Sequence, residues 1–200
     1  MWQKTYSVEL RGDVTPGQVI ETWKQNFPDF WPQHNRFFGP LTGIAPGEVA
    51  LLNLTMPGRL KLSTGVLVLY TDEESFTLMT PEGHMFAGWI TFSAFERSGG
   101  TVAQAQVLMR ASDPLYEAGL TFGGHRKEDR FWEHTLGALA AHLGVSAMVE
   151  TRTLCVDKKR QWGRLANIRH NAAIRSGLYA LAAPARGVAG ALRGRSSRDS

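Results

Sequence analysis

The stretch from Asp113 to Gly144 limits the possible folds of this chain more than any other part of the sequence. Asp113 is a favourable N-cap, and Pro114 suits the first helical position, where the backbone N–H has no partner to lose. The apolar residues that follow are spaced four, three and four positions apart, which places them on one face of an α-helix: Trp132, Leu136, Leu139 and Leu143. Gly144 predicts the end of this helix, and Gly123 and Gly124 predict a kink within it. A long helix with a single apolar face has to bury that face against another layer of structure.

The residues before this helix predict a layer of strands. A first strand is expected over residues 4–14, and a helix should begin at Thr15, with at most a short second helix over residues 27–38. Five further strands are expected: Val49–Thr55, Leu60–Tyr70 with a bulge at Gly65, Ser75–Thr80, His84–Glu96 and Thr101–Arg110. The tight turns between these strands predict an antiparallel meander.

The alternation of side chains predicts which face of this sheet meets the helix. The last strand has one apolar face, made of Ala103, Ala105, Val107 and Met109. The strand before it has a matching set, made of Phe86, Gly88, Ile90, Phe92 and Ala94. The opposite face of the sheet is not uniformly polar, so it also needs a cover. We expect that cover to come from the C-terminal extension or from a second subunit.

The order of these elements resembles the helix-grip fold of the START and polyketide-cyclase (SRPBCC) superfamily, which includes the birch pollen allergen type. The resemblance covers about residues 4–144. It also rests on GHRKEDRFW at the start of the last helix and on the turn PEGHMFAGW, which is similar to a turn in a bacterial branch of that superfamily. It implies an α+β fold in which a curved antiparallel sheet wraps around the long C-terminal helix and encloses a hydrophobic cavity.

The inward faces named above predict which residues line that cavity. They are His84, Phe86, Ile90, Phe92, Val107, Met109, Trp132, Leu136 and Leu139. Gly88, Ala103 and Ala105 favour a cavity as well, because a filled core would prefer larger side chains at inward positions. His84 has two interpretations: it orients a ligand or transfers a proton at the cavity mouth, or it only caps the end of a strand.

The chain is expected to divide into a helix-grip domain over residues 1–145, an extension over residues 146–183 and a flexible basic tail over residues 184–200. The first part of the extension, Met148–Val156, is either a strand or an ordered link. A basic helix should run from Asp157 to about Ala183. We expect it to pack on the domain with its arginines outward, through Trp162, Leu165 and Ile168.

Charge and cysteine content narrow the functional classes. From Asp157 onward there are ten Lys or Arg and two acids, whereas residues 1–156 hold 12 basic and 16 acidic residues. The single cysteine, Cys155, excludes an internal disulfide and favours a reducing compartment. No apolar secretory segment begins the chain, and purely apolar runs such as Val66–Tyr70 are too short to span a bilayer. We therefore expect a cytoplasmic protein, with peripheral membrane contact through the tail as a further expectation.

No sequence motif predicts a metal, a cofactor or a catalytic residue. His134 and His142 lie two helical turns apart, too far to chelate one ion. The chain contains no HExxH, CxxC, GxSxG, P-loop or dinucleotide-binding pattern. The charged run over residues 125–130 at the start of the last helix is interpreted as a solvated face.

Three functions remain open at this stage. The first is binding of a hydrophobic small molecule or lipid in the cavity. The second is a cyclase or aromatase type of enzyme with the same fold, which would need polar groups deep in the cavity. The third is a membrane-surface adaptor that acts through the basic C-terminal helix, with weak contact to anionic lipid. A homodimer is expected as one way to cover the sheet, and nucleic acid is not expected because no recognised binding module is present.

Overall fold

The computed structural model describes residues 1–56 and 61–182. Within these ranges, eight antiparallel strands form one sheet in the order β2-β3-β4-β5-β6-β7-β1-β8. The strands are β1 Trp2–Leu10, β2 Arg36–Phe38, β3 Val49–Thr55, β4 Lys61–Thr71, β5 Ser75–Met79, β6 Phe86–Arg97, β7 Gly100–Ala111 and β8 Glu150–Cys155. Strands β3 to β7 form the predicted meander, and the first strand joins it by pairing with β7.

The helices lie where their capping residues predict them. Helix α1, Pro16–Asn26, begins with a capping box between Thr15 and Gln18, and a short 3-10 helix, Phe27–Phe30, follows it. Helix α2, Pro114–Gly119, leads through a π-helical turn into helix α3, His125–His142. The kink predicted at the paired glycines is confirmed, because Gly123 has a φ of 103° inside that turn. Only a residue that tolerates positive φ fits there without strain.

The hydrophobic core lies between one face of the sheet and helices α1 and α3. The predicted inward faces of β6 and β7 are confirmed, since their residues alternate between buried and more exposed in the expected register. Phe92 stacks on Phe76 with ring centroids 4.6 Å apart, and Trp23 and Phe27 pack edge-on against both rings. From α3, Leu136 and Leu139 are completely buried in this core.

Several predicted boundaries differ from the structure. The first strand ends at Leu10 rather than at residue 14, and residues 36–38 form β2 rather than part of a helix. The bulge of β4 lies between Val68 and Tyr70. Gly65 is in regular register with Leu51, and the reason for a glycine is close packing: a Cβ atom there would lie 2.9 Å from the Ala50 carbonyl oxygen.

The C-terminal extension continues the same sheet. The prediction of a strand within Met148–Val156 is confirmed by β8, which pairs with β1. The prediction of one helix from Asp157 to about Ala183 is wrong. Residues 157–164 are irregular, a 3-10 helix covers Leu165–His170, and a separate helix occupies residues 172–182. Asn171 caps that last helix, because its Oδ1 accepts hydrogen bonds from the Ala173 and Ile174 amides.

The extension packs on the domain through polar groups rather than through the predicted apolar ones. Trp162 is 53% exposed and Leu165 is 66% exposed, which overturns the predicted docking through these two residues; Ile168 is half-buried. The buried contacts are instead made to the first turn of α2 and to the β5–β6 turn. They are Arg160 Nη1 to Glu117 Oε1 at 2.8 Å, Asn171 Nδ2 to Asp113 Oδ2 at 2.7 Å, and the Ala172 amide to the Gly83 carbonyl at 2.9 Å. The buried carboxylates of α2 require such partners, and this need determines the path of the chain.

The described part of the extension, up to residue 182, leaves apolar side chains exposed on the outer face of the sheet. They are Val49, Leu51 and Leu69. A second subunit on this face stays a prediction, and so does the division of the chain at residue 145. The basic tail over residues 184–200 lies outside the described residues, as does Ala183.

Gly83 provides a test of the docked extension. Its φ is +86°, and a Cβ atom there would lie 2.1 Å from the His170 carbonyl oxygen. Gly47 is a matched control with a φ of +88° and open space around it. Both Gly→Ala variants should lose about 1 kcal/mol from backbone strain. Gly83→Ala should also displace the extension, so that trypsin cleaves after Arg169 and Arg175 faster than in Gly47→Ala. Equal stability loss and equal cleavage rates in the two variants would contradict this description of the docking.

Candidate ligand-binding cavity

A cavity of about 400 Å³ lies between the inward face of the sheet and the kinked end of the α2–α3 segment. Small-molecule sites in proteins have volumes of about 300–1,000 Å³, so this one is large enough for a ligand. Most of its wall is apolar and aromatic, with contributions from β3 to β7, the 3-10 helix, α2 and the first turns of α3. The kink positions the wall, because Gly119, Gly123 and Gly124 all border the cavity.

The structure places six of the nine predicted residues in the cavity wall: His84, Phe86, Ile90, Val107, Met109 and Trp132. Phe92, Leu136 and Leu139 are not part of the wall, because they pack in the adjacent core. Ala103 and Ala105 are likewise fully buried away from the cavity. Ala105 lies opposite both Tyr6 and Phe92, so a small residue is required there by close packing and not by a ligand.

Sequence reasoning missed the part of the wall that comes from irregular segments. Trp31 follows the 3-10 helix, Phe37 lies in the short strand β2, and Tyr116 and Leu120 enter from α2 and the kink. Their inward orientation depends on the kink and on short 3-10 geometry, neither of which has a repeating pattern that would reveal it. In the sequence, only the adjacent glycines indicated that the chain bends at this part of the wall.

His84 is buried in the wall, just before β6 begins. Its Nδ1 lies 3.1 Å from the Phe86 amide nitrogen and 3.2 Å from the Phe86 carbonyl oxygen, so the backbone of Phe86 holds the ring in either tautomer. Burial lowers the pKa of His84 to about 4. The imidazole is therefore neutral near neutral pH, where it caps the strand end.

Within the described part of the chain, the wall has one carboxyl group, that of Glu128 in the first turn of α3. Its side chain is 5% exposed, and Lys4 of β1, 1% exposed, approaches Glu128 Oε2 to 3.0 Å. The same lysine lies 2.7 Å from Asp129 Oδ1, which also accepts a hydrogen bond from the Tyr6 hydroxyl at 2.8 Å. Glu128 Oε2 is thus ion-paired with Lys4, whereas Oε1 has no hydrogen-bond partner in the described part of the chain.

This cluster corrects the interpretation of residues 125–130 as a solvated face. Two signals in the sequence indicated burial. Glu128 lies four positions before Trp132 and so continues the apolar stripe of the helix, and Lys4 has the same strand parity as Tyr6 and Val8. Charged residues at inward positions on two packed elements are expected to pair, because an isolated buried charge is costly.

Comparison with solved structures places this architecture among known folds. A START superfamily protein from Mycobacterium smegmatis shares 16% identity at a TM-score of 0.50, with 72% of this chain and 98% of that chain covered. Protein Ms6760 from the same organism shares 14% identity at a TM-score of 0.53, with 71% and 90% covered. The di-domain ARO/CYC StfQ from the steffimycin biosynthetic pathway shares 11% identity at a TM-score of 0.54, with 72% and 52% covered.

The chain has the helix-grip fold. The identities are low enough that the similarity concerns the fold alone. The family models and the curated proteins that were compared with the chain contain no match to it.

The rim of the helix-grip cavity carries a cation. Lys127 borders the cavity, and its ammonium group donates a hydrogen bond to the Thr55 carbonyl oxygen at the end of β3. Within residues 1–56 and 61–182, no three His, Cys, Asp or Glu side chains come together as a metal site would require. In the same ranges, no helix has the length and apolar composition needed to cross a membrane.

Glu128 should make the stability of the protein depend on pH. Burial raises the pKa of Glu128 from its ordinary value of 4.5 to about 7, although the charge of Lys4 opposes the shift. The folded state therefore binds this proton more tightly than the unfolded state does. The resulting stability is fully present below about pH 4.5 and is lost as the pH rises through about 7.

Glu128→Gln should remove this contribution. Between about pH 4.5 and about pH 8, the wild type should lose more of its free energy of unfolding than the variant, by about 1.4 kcal/mol for each unit of pKa shift. Urea denaturation across this pH range measures the difference. Glu133→Gln is the control, because Glu133 is on the same helix but outside the cavity wall. Parallel stability curves for the wild type and Glu128→Gln would show that Glu128 does not titrate in this range.

Proposed function

We propose that this protein binds a hydrophobic small molecule or lipid inside the helix-grip cavity. The observation that carries the proposal is the size of the void within a well-packed protein. Protein interiors have few voids larger than a water molecule, whereas this cavity of about 400 Å³ has the volume of about a dozen waters. Its mainly apolar wall favours an apolar ligand over solvent.

A cyclase or aromatase type of enzyme is the second candidate. One observation favours it: the wall contains an acid, Glu128, whose pKa of about 7 suits proton transfer near neutral pH. The similar structure StfQ is described as an ARO/CYC protein. Mass spectrometry of a ligand before and after incubation with the protein separates the two functions, because a carrier returns its ligand unchanged.

The membrane-surface adaptor remains a third proposal. It depends on residues 184–200, which lie outside the described residues, and on exposed residues of the last helix such as Leu178 and Leu181. Exposed bases near an anionic surface contribute about 1 kcal/mol each, so any contact should weaken with salt. Flotation with phosphatidylserine vesicles at low and high salt, with and without residues 184–200, tests it. Binding that ignores both changes would rule out an electrostatic role for the tail. A cytoplasmic location likewise stays a prediction.

Filling the cavity should block binding without unfolding the protein. Val107 is in the wall at the centre of β7, and Val107→Phe adds volume on the cavity side. The variant should bind the neutral fluorescent hydrophobe N-phenylnaphthylamine at least about tenfold more weakly, while its midpoint of urea denaturation stays within about 1 kcal/mol of wild type.

Leu69→Phe, on the exposed face of the sheet, is the matched control and should bind the probe as the wild type does. Loss of more than about 3 kcal/mol of stability in Val107→Phe would mean that the site is a packed core. Unchanged probe affinity in a folded Val107→Phe would mean that ligands bind elsewhere.

A further inference from the structure

The wall of the cavity contains two polar groups that have no hydrogen-bond partner in the described part of the chain. One is Oε1 of the Glu128 carboxyl group, and the other is the indole Nε1–H of Trp31. Buried polar groups in native proteins are nearly always paired, and an unpaired one costs about 1–3 kcal/mol. Trp23, Thr71 and His125 also have unpaired side-chain atoms but lie outside the wall, so Glu128 and Trp31 are the ones placed to find a partner inside the cavity.

The hydrogen bonds made by Lys4 and Tyr6 explain why one carboxyl oxygen of Glu128 has no partner. The ammonium group donates hydrogen bonds to Asp129 Oδ1 and to the His125 carbonyl oxygen, and the Tyr6 hydroxyl donates to the same Asp129 oxygen. The third N–H of the ammonium group faces Glu128 Oε2 across 3.0 Å. Glu128 Oε1 therefore receives no donor from this cluster.

We propose that the ligand carries a hydrogen-bond donor, a hydroxyl group in the simplest case, that binds the carboxyl group of Glu128 in the cavity wall. This inference rests on the proposed function and narrows it to hydrophobic molecules with a donor group. A ligand hydroxyl could also accept a hydrogen bond from Trp31, whose ring lies 5.0 Å from that of Phe131, one turn of α3 beyond Glu128. A ligand carboxylate is disfavoured there, because it would place a second negative charge beside Glu128 and Asp129.

Three probes with the same apolar chain test the proposal: decanol, decyl methyl ether and decanoate. Each is titrated against bound N-phenylnaphthylamine at about pH 8, where an acid with a pKa of about 7 is ionised. Decanol should displace the fluorophore at a concentration about tenfold lower than decyl methyl ether, as expected for one hydrogen bond to a charged acceptor. Decanoate should be the weakest of the three. The ether can still accept a hydrogen bond from Trp31. The difference between decanol and the ether in displacing concentration therefore measures the contribution of the hydroxyl donor alone.

Glu128→Leu should abolish the preference for decanol over the ether, and Glu133→Gln, outside the cavity wall, should keep it. If Glu128→Leu fails to fold, the ranking of the three probes on the wild-type protein is sufficient to test the donor inference. Equal displacement by decanol and the ether overturns the donor inference but leaves cavity binding intact. Stronger displacement by decanoate also overturns it and places the head group at Lys127 on the rim. If neither the fluorophore nor any probe binds, the proposed function fails with it.

Discussion

The packing of α3 on the inward face of the sheet is the contact on which the rest of this structure depends. The two halves of the helix behave differently. Leu136 and Leu139 in the second half are fully buried against the sheet, whereas Glu128 and Trp132 in the first half border the cavity. The kink at Gly123 redirects the chain just before α3 begins. The same apolar stripe therefore packs closely on the sheet at one end of the helix and borders a void at the other end, next to the kink.

The void remains within a stable fold because polar contacts hold the first half of α3 in place. Lys4 and Tyr6 of β1 both contact Asp129, which ties the start of the helix to the strand that lies between β7 and the edge strand β8. Such a buried cluster contributes more to position than to net stability, because desolvation of the charges offsets much of their attraction. Removal of one partner would still be costly, since it would leave a buried charge unpaired. Glu128 shares the lysine through Oε2, so its Oε1 is the acceptor of the cluster that is left available to a ligand.

The C-terminal extension shows the same reliance on polar contacts. Its exposed apolar residues, including Trp162 and Leu165, contribute little burial. The chain is held instead by Asp113 and Glu117 of α2, which bind Asn171 and Arg160. These contacts fix the N-terminal turn of α2, and Tyr116 and Leu120 of the neighbouring turns border the cavity. The extension thus braces the part of the wall that regular secondary structure does not support.

Local patterns in the sequence were enough to predict the meander, the long helix and the inward residues of β6 and β7, and the resemblance of their order to a known superfamily implied the helix-grip fold. Each of these depends on spacing along one strand or helix, such as the stripe from Trp132 to Leu139, and spacing is visible in the sequence. The cavity wall was predictable only where it is built from regular strands. Trp31, Leu120 and the Lys4–Glu128 contact depend on irregular turns and on elements more than a hundred residues apart. The path of the extension was decided by buried carboxylates on α2, and only the tertiary structure brings those groups together with their partners.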